Sequence, residues 1–213
     1  MSHYPEARFI KSANALSQFV PDVGAEVAVA GRSNAGKSSA INVIVNQRQF
    51  ARTSKTPGRT QLVNFFELNP GVRLVDLPGY GYAKVPAAMR EHWRNLLGAY
   101  FTRRASLAGL FIVMDARRPL TDFDWQMMEM AATNACRVHV LLSKCDKLGR
   151  NEARDTIRRV RAELADTATV QLFSAVSGEG LDEARRVLKS MLLGERGAAA
   201  QGEPRVPHTE QRG

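Results

Sequence analysis

The stretch Gly31-Arg32-Ser33-Asn34-Ala35-Gly36-Lys37-Ser38 decides the fold. It fits G-x-x-x-x-G-K-[ST], the pattern of a loop whose backbone N–H groups cradle phosphates. The apolar run Val27-Ala28-Val29-Ala30 precedes it and reads as a buried strand. Ser39-Ala40-Ile41-Asn42-Val43-Ile44 follows it with a composition suited to a helix. Strand, glycine loop and helix together give the motif its physical meaning. Gly31 and Gly36 let the chain curl so that successive N–H groups converge on an anion. The helix N-terminus adds partial positive charge at the same place. Lys37 then reaches the β- and γ-phosphates, and the Ser38 hydroxyl is a ligand for Mg²⁺.

The strand and helix signals on either side of this loop extend into a full α/β pattern. Residues 1–24 form a short lead-in, in which Phe9, Ile10, Leu16 and Phe19 are candidates to pack on a sheet edge. Residues 25–193 read as one nucleotide-binding domain. Val63–Leu68 and Val72–Asp76 flank Asn69-Pro70-Gly71, a hairpin pattern. Further strands are expected at 110–115, 138–142 and 169–173, and helices at 37–46, 87–101, 121–135, 151–165 and 181–192. Met89, Trp93, Leu96, Leu97 and Tyr100 recur near the helical period and predict a core stripe. Thr121-Asp122-Phe123-Asp124 has the form of a capping box. The pattern predicts a mostly parallel six-stranded sheet with helices on both faces. Beyond residue 193 the chain turns to Gly, Ala, Pro, Gln and Arg and reads as a disordered tail.

Composition bounds the function. The chain has 213 residues, 44% hydrophobic and 24% charged, with a formal net charge of +9. Arginines and glutamates balance in the last twenty residues, so the excess belongs to the domain. A sequence pI near 10.1 favours a polyanionic partner. Residues 47–60 hold Arg48, Arg52, Lys55 and Arg59 with no acidic residue. Cys136 and Cys145 lack metal or redox spacing, and the four histidines form no ligand cluster. No apolar run reaches the roughly 18 residues of a membrane span, and Met1–Pro5 lacks the features of a secretory leader. A cytoplasmic, monomeric protein with no membrane association is the expectation.

Ligands of open α/β sheets bind at the carboxyl ends of the strands, and the remaining polar motifs fall there in a set order. Thr60 precedes a strand, Asp76-Leu77-Pro78-Gly79 follows one, and Ser143-Lys144-Cys145-Asp146 and Phe173-Ser174-Ala175 follow two more. The order resembles a translation-factor-type GTPase domain, with a Ras-like P-loop fold. Ser54–Gln61, Asp76–Ala83 and Met114–Leu120 resemble in addition the bacterial EngB (YihA/YsxC) family of ribosome-assembly GTPases, over roughly residues 5–193.

That resemblance implies a site of Gly31–Ser38, Gly58, Arg59, Thr60, Gln61, Leu62, Asp76–Gly79, Ser143–Asp146 and Phe173–Ala175. Named singly, the phosphate loop gives Gly31, Arg32, Ser33, Asn34, Ala35, Gly36, Lys37 and Ser38. The acidic turn gives Asp76, Leu77, Pro78 and Gly79. The base-reading loops give Ser143, Lys144, Cys145, Asp146, Phe173, Ser174 and Ala175. Ser38, Thr60 and Asp76 are the implied Mg²⁺ set, Asp76 through water and Thr60 in the GTP state. Lys37, Thr60, Gly79 and Asn34 are the implied catalytic group, with the Gly79 N–H meeting the γ-phosphate. Asp146 accepts from guanine N1–H and N2–H₂, Lys144 lies under the base, and the Ala175 N–H reaches O6. The partner implied is a large-subunit assembly intermediate of rRNA and protein, with an indirect link to cell division and septation.

Three features leave alternatives open. Ser143 replaces the usual Asn or Thr of the guanine motif. Tyr80 stands where many GTPases place a water-orienting Gln, which keeps a nucleotide-dependent RNA-binding module with negligible turnover in view. A P-loop kinase or ATPase is the third reading, and Asp146 argues against it. Asn34 is similar to the Asn of GTPases that bind K⁺ beside the phosphates, the cation taking the place of an arginine finger. The competing explanation is that Asn34 only tolerates the backbone angles of the loop.

Overall fold

The structure is a computed structural model and describes residues 4–51, 62–80, 87–134 and 136–194. Its strands are β1 (Arg8–Ala13), β2 (Ala25–Gly31), β3 (Val63–Asn69), β4 (Val72–Asp76), β5 (Leu107–Asp115), β6 (Arg137–Ser143) and β7 (Thr169–Leu172). Its helices are α1 (Lys37–Val45), α2 (Ala87–Arg103), α3 (Asp122–Ala132), α4 (Arg150–Leu164) and α5 (Leu181–Leu192). The strands form one sheet in the order β1-β3-β4-β2-β5-β6-β7. β3 is antiparallel to both neighbours, and every other pairing is parallel.

The sheet therefore has seven strands among the described residues, where the sequence pattern predicts six. The additional strand, β1, lies in the segment read as a lead-in. Its first four residues are exposed and only Ala13 is buried, so it carries almost no hydrophobic alternation. Backbone pairing to β3 holds it. Phe9 leans on Phe66 with ring centroids 5.6 Å apart. Ile10 and Leu16, expected against the sheet edge, stay largely exposed. Met89 of the α2 stripe is likewise exposed, because α2 turns that position away from the sheet. The expected tail beyond residue 194 lies outside the described residues.

Alternation along the central strands makes two cores. Ala28, Ala30, Leu110 and Ile112 face α2, α3 and α4 through Leu96, Met127 and Val160. Val27, Val29, Phe111 and Val113 face α1 and α5 through Ile41, Ile44 and Leu188. β5 is apolar on both sides, as a central parallel strand covered on both faces must be. The start of β2 carries a buried carboxylate, Glu26. It accepts from Arg73 Nε at 3.1 Å, Arg104 Nε at 2.7 Å and the Tyr100 hydroxyl at 3.0 Å. Arg104 also donates to the Val20 carbonyl at 2.8 Å. Three elements, β2, β4 and α2, with the turn after α2 and the lead-in are thus tied together at the sheet end opposite the phosphate loop. A buried charge so fully paired is tolerable, whereas one left alone would cost several kcal/mol.

Candidate functional site

The phosphate loop leaves β2 at Gly31 and enters α1 at Lys37. Gly36 has φ +96°, and a Cβ on Gly31 would lie 2.8 Å from the Val113 carbonyl oxygen. Both positions therefore require glycine. Asn34 also sits in the left-handed region, with φ +63°. This matches the backbone explanation for an Asn there, since Asn enters that region more readily than most residues. Lys37 Nζ donates to Asp76 Oδ1, and Asn64 Nδ2 donates to Asp76 Oδ2 at 3.4 Å. Asp76 is buried, so its carboxylate is held in place through both oxygens. Beyond it Leu77 N–H donates to the Val29 carbonyl at 3.0 Å. That bond carries Leu77-Pro78-Gly79 along the edge of the loop, where a Cβ on Gly79 would be 3.8 Å from Ser33.

The expected base-reading residues come together on the other side of the loop. The Ser143 hydroxyl, at the end of β6, is shared between the Ala35 carbonyl and the Met114 carbonyl, the latter at 3.0 Å. The shorter side chain thus still bridges to the phosphate loop. Lys144 has φ +58°. Its ammonium donates to the Asn34 carbonyl at 2.5 Å and to Asp115 Oδ2 at 3.0 Å. Asp115 also takes a two-pronged contact from Arg117, Nε at 2.9 Å and Nη2 at 2.7 Å. The Arg117 guanidinium, with Lys144, holds the Asp115 carboxyl well below the usual carboxylate range. Cys145 is buried, which pushes its thiol up to about 12 and makes it inert.

Asp146 Oδ1 accepts from the Ser174 hydroxyl at 2.6 Å, and Lys147 lies 3.4 Å from its other oxygen. The Ser174 bond, then Lys147, lowers the Asp146 pKa and keeps the carboxylate ionised. Ser174 Oγ in turn accepts from Val176 N–H and Ser177 N–H, both at 3.1 Å. This turn holds Ala175 beside Asp146. Behind it Gln171 Nε2 donates to the Gly180 carbonyl at 2.7 Å, and His139 bonds Gln171 Oε1 at 2.9 Å. Gly180 has φ +73°, and a Cβ there would meet the Leu172 carbonyl oxygen at 2.1 Å.

A cavity of about 490 Å³ opens along the loop, lined by residues 32–35 and by Asp115, Arg117, Arg118, Asp124 and Lys144. Asp115, Arg117, Arg118 and Asp124 were absent from the expected site. For the first three the signal was a charged cluster directly after an apolar strand, which is where open sheets place their ligands, while Asp124 comes from the first turn of α3. Leu62 is half-buried just before β3. Gly58, Arg59, Thr60 and Gln61 lie outside the described residues. Among the described residues no helix is long and apolar enough to cross a membrane.

A family described as "50S ribosome-binding GTPase" matches residues 26–144. A Thiobacillus denitrificans protein named "Probable GTP-binding protein EngB" is 52% identical over 191 residues, covering 88% of this chain and 93% of its own. The protein of the same name from Stenotrophomonas maltophilia is 50% identical over 190 residues, covering 87% and 95%. A crystal structure of a probable GTP-binding protein engB shares the fold, with a TM-score of 0.64 at 19% identity over 79% of this chain and 99% of that one. With the phosphate loop, the acidic turn and the loops after β6 and β7 gathered at one sheet edge, the chain belongs to the EngB family of P-loop GTP-binding proteins and is a GTPase.

Proposed function

We propose that this GTPase is a GTP-dependent switch in the assembly of the large ribosomal subunit, with an indirect requirement for normal cell division and septation. In this reading it works in the cytoplasm as a monomer. The observation that carries the nucleotide half is the stitching of the base-reading loops to the phosphate loop by Ser143 and Lys144. Base and phosphate recognition then form one rigid unit. The ribosomal half rests on the family's description as 50S ribosome-binding and on the +9 charge. Arginines 154, 158, 159 and 161 of α4 are exposed and available to a polyanion.

The residues fit a Mg²⁺ ion. The Ser38 hydroxyl and the Asp76 carboxylate are hard oxygen donors, the ligand type that Mg²⁺ takes together with phosphates and water. Both Asp76 oxygens already accept protein hydrogen bonds, which favours contact through water. Thr60 joins this set when GTP is bound. When bound, the ion neutralises charge on the β- and γ-phosphates. Lys37 exchanges Asp76 for phosphate oxygens, and the Gly79 N–H donates to the γ-phosphate. Asp146 and the Ala175 N–H select guanine, Lys144 supports the base, and Asn34 is the candidate K⁺ ligand. Intrinsic turnover is slow because Tyr80 has no amide with which to orient water.

Single-turnover GTP hydrolysis, measured alone and with large-subunit assembly intermediates, tests the reading. Faster hydrolysis with those particles but not with small subunits is expected. An unchanged rate with every particle would remove the assembly role.

A further inference from the structure

Tyr80 follows Gly79 directly, and its side chain enters the core rather than solvent. The ring is buried, and its hydroxyl donates to Asp124 Oδ1 at 2.7 Å. Asp124 is itself buried, at the third position of α3. Its second oxygen accepts from the Thr121 N–H and the Thr121 hydroxyl, both at 2.8 Å. The Tyr80 O–H is the donor in this bond and the carboxyl oxygen the acceptor. Burial and the neighbouring carboxylate hold the phenol protonated.

The backbone of Tyr80 is pinned as well. Its carbonyl accepts from the Ser33 N–H at 2.9 Å, and its N–H points to the Gly31 carbonyl at 3.4 Å. These contacts form a short parallel bridge between Arg32 and Tyr80. Gly79 is thereby held between a fixed Asp76 and a fixed Tyr80, against the phosphate loop.

We infer that Tyr80, anchored by Asp124 at the start of α3, is a positioning residue that fixes the Gly79 N–H for the γ-phosphate. This rests on the reading of Gly79 as a γ-phosphate donor. The amide of Gly79 is useful only if its direction is set before the phosphate arrives, because donors aimed in advance lose nothing to reorganisation. GDP lacks the γ-phosphate and gains nothing from this order. The anchor therefore acts on the difference between the two nucleotides.

The test compares affinities for GDP and a non-hydrolysable GTP analogue in wild type, Tyr80→Phe, Thr121→Val and Gly79→Ala. Tyr80→Phe keeps the ring in the core and removes only the hydroxyl. A hydrogen bond to a charged acceptor is strong enough for its loss to lower analogue affinity about tenfold, with GDP affinity unchanged. Thr121→Val removes one donor from the second Asp124 oxygen, while the residue 121 N–H and the Tyr80 hydroxyl still hold the carboxylate, so the ratio of the two affinities should stay at the wild-type value. A Tyr80→Phe ratio equal to wild type, with Gly79→Ala lowering it, overturns the inference alone. A ratio that falls equally in Thr121→Val also overturns it, since helix capping would then be the cause. If Gly79→Ala leaves the ratio unchanged, the γ-phosphate reading of Gly79 fails, and the inference with it.

Discussion

His139 makes the protein sensitive to mild acid, by an amount that can be worked from its surroundings. The ring is buried between β5 and β7. Gln171 spends its amide N–H₂ on the Gly180 and Leu172 carbonyls, so its Oε1 must accept from His139 Nε2–H. His139 Nδ1 is then left to accept from the Thr169 hydroxyl at 2.6 Å. The imidazole is neutral. Burial, with a smaller push from Arg137, lowers its pKa from 6.5 to about 4 against the opposing Gln171 bond. Between those values the unfolded chain binds a proton that the folded protein refuses. The contribution is complete above about pH 6.5 and is lost as pH falls toward 4. At pH 5 the loss is about 2 kcal/mol, and below pH 4 about 3 kcal/mol. That is a large share of a total stability of roughly 5–15 kcal/mol.

The assay is urea unfolding at pH 7.5 and pH 5.0 for wild type and His139→Gln. The variant is less stable at neutral pH because it loses ring packing, so the comparison lies in the pH difference. Wild type should lose about 2 kcal/mol more than the variant between the two pH values. Equal losses in the two proteins would show that His139 titrates normally and would refute the argument. Because Gln171 braces Gly180 behind the Ser174 turn, GTP affinity should weaken over the same range.

Asp146→Asn should exchange guanine for xanthine preference, because the amide presents a donor where guanine needs an acceptor; comparable affinity of the native protein for ATP and GTP would contradict this. Thr60→Ala should spare GDP binding and weaken GTP-dependent association with ribosomal particles, as read by pelleting in each nucleotide. That association should fall steeply as salt is raised, since arginine contacts to phosphate release counterions; a flat salt dependence would point to a protein surface instead. Turnover in K⁺ should exceed that in Na⁺ at equal ionic strength, and Asn34→Ala should remove the difference. If the variant keeps it, Asn34 serves only the left-handed turn at φ +63°.

The placement of much of the candidate site was legible because its residues form short contiguous strings tied to strand ends. Gly31–Ser38, Asp76–Gly79 and Ser143–Asp146 each follow a strand by register alone, so chain order maps onto the sheet edge. Contacts between strings were not legible. Nothing in the spacing of Tyr80 and Asp124 announces a bond across 44 positions. Nothing in Asp115 announces that it would hold Lys144. β1 escaped notice for a related reason. An exposed edge strand held by backbone pairing leaves no hydrophobic pattern, so only its partner β3 reveals it. Nothing in the sequence marks Glu26 as buried, because its burial depends on Arg73 and Arg104 arriving from distant segments.

Pelleting with large-subunit assembly intermediates tests the central claim most directly. The protein would be incubated with those particles in the presence of a non-hydrolysable GTP analogue, GDP or no nucleotide, and the bound fraction measured. The switch account predicts strong association with the analogue and weak association with GDP. Equal association in all three conditions, or none in any, would contradict it.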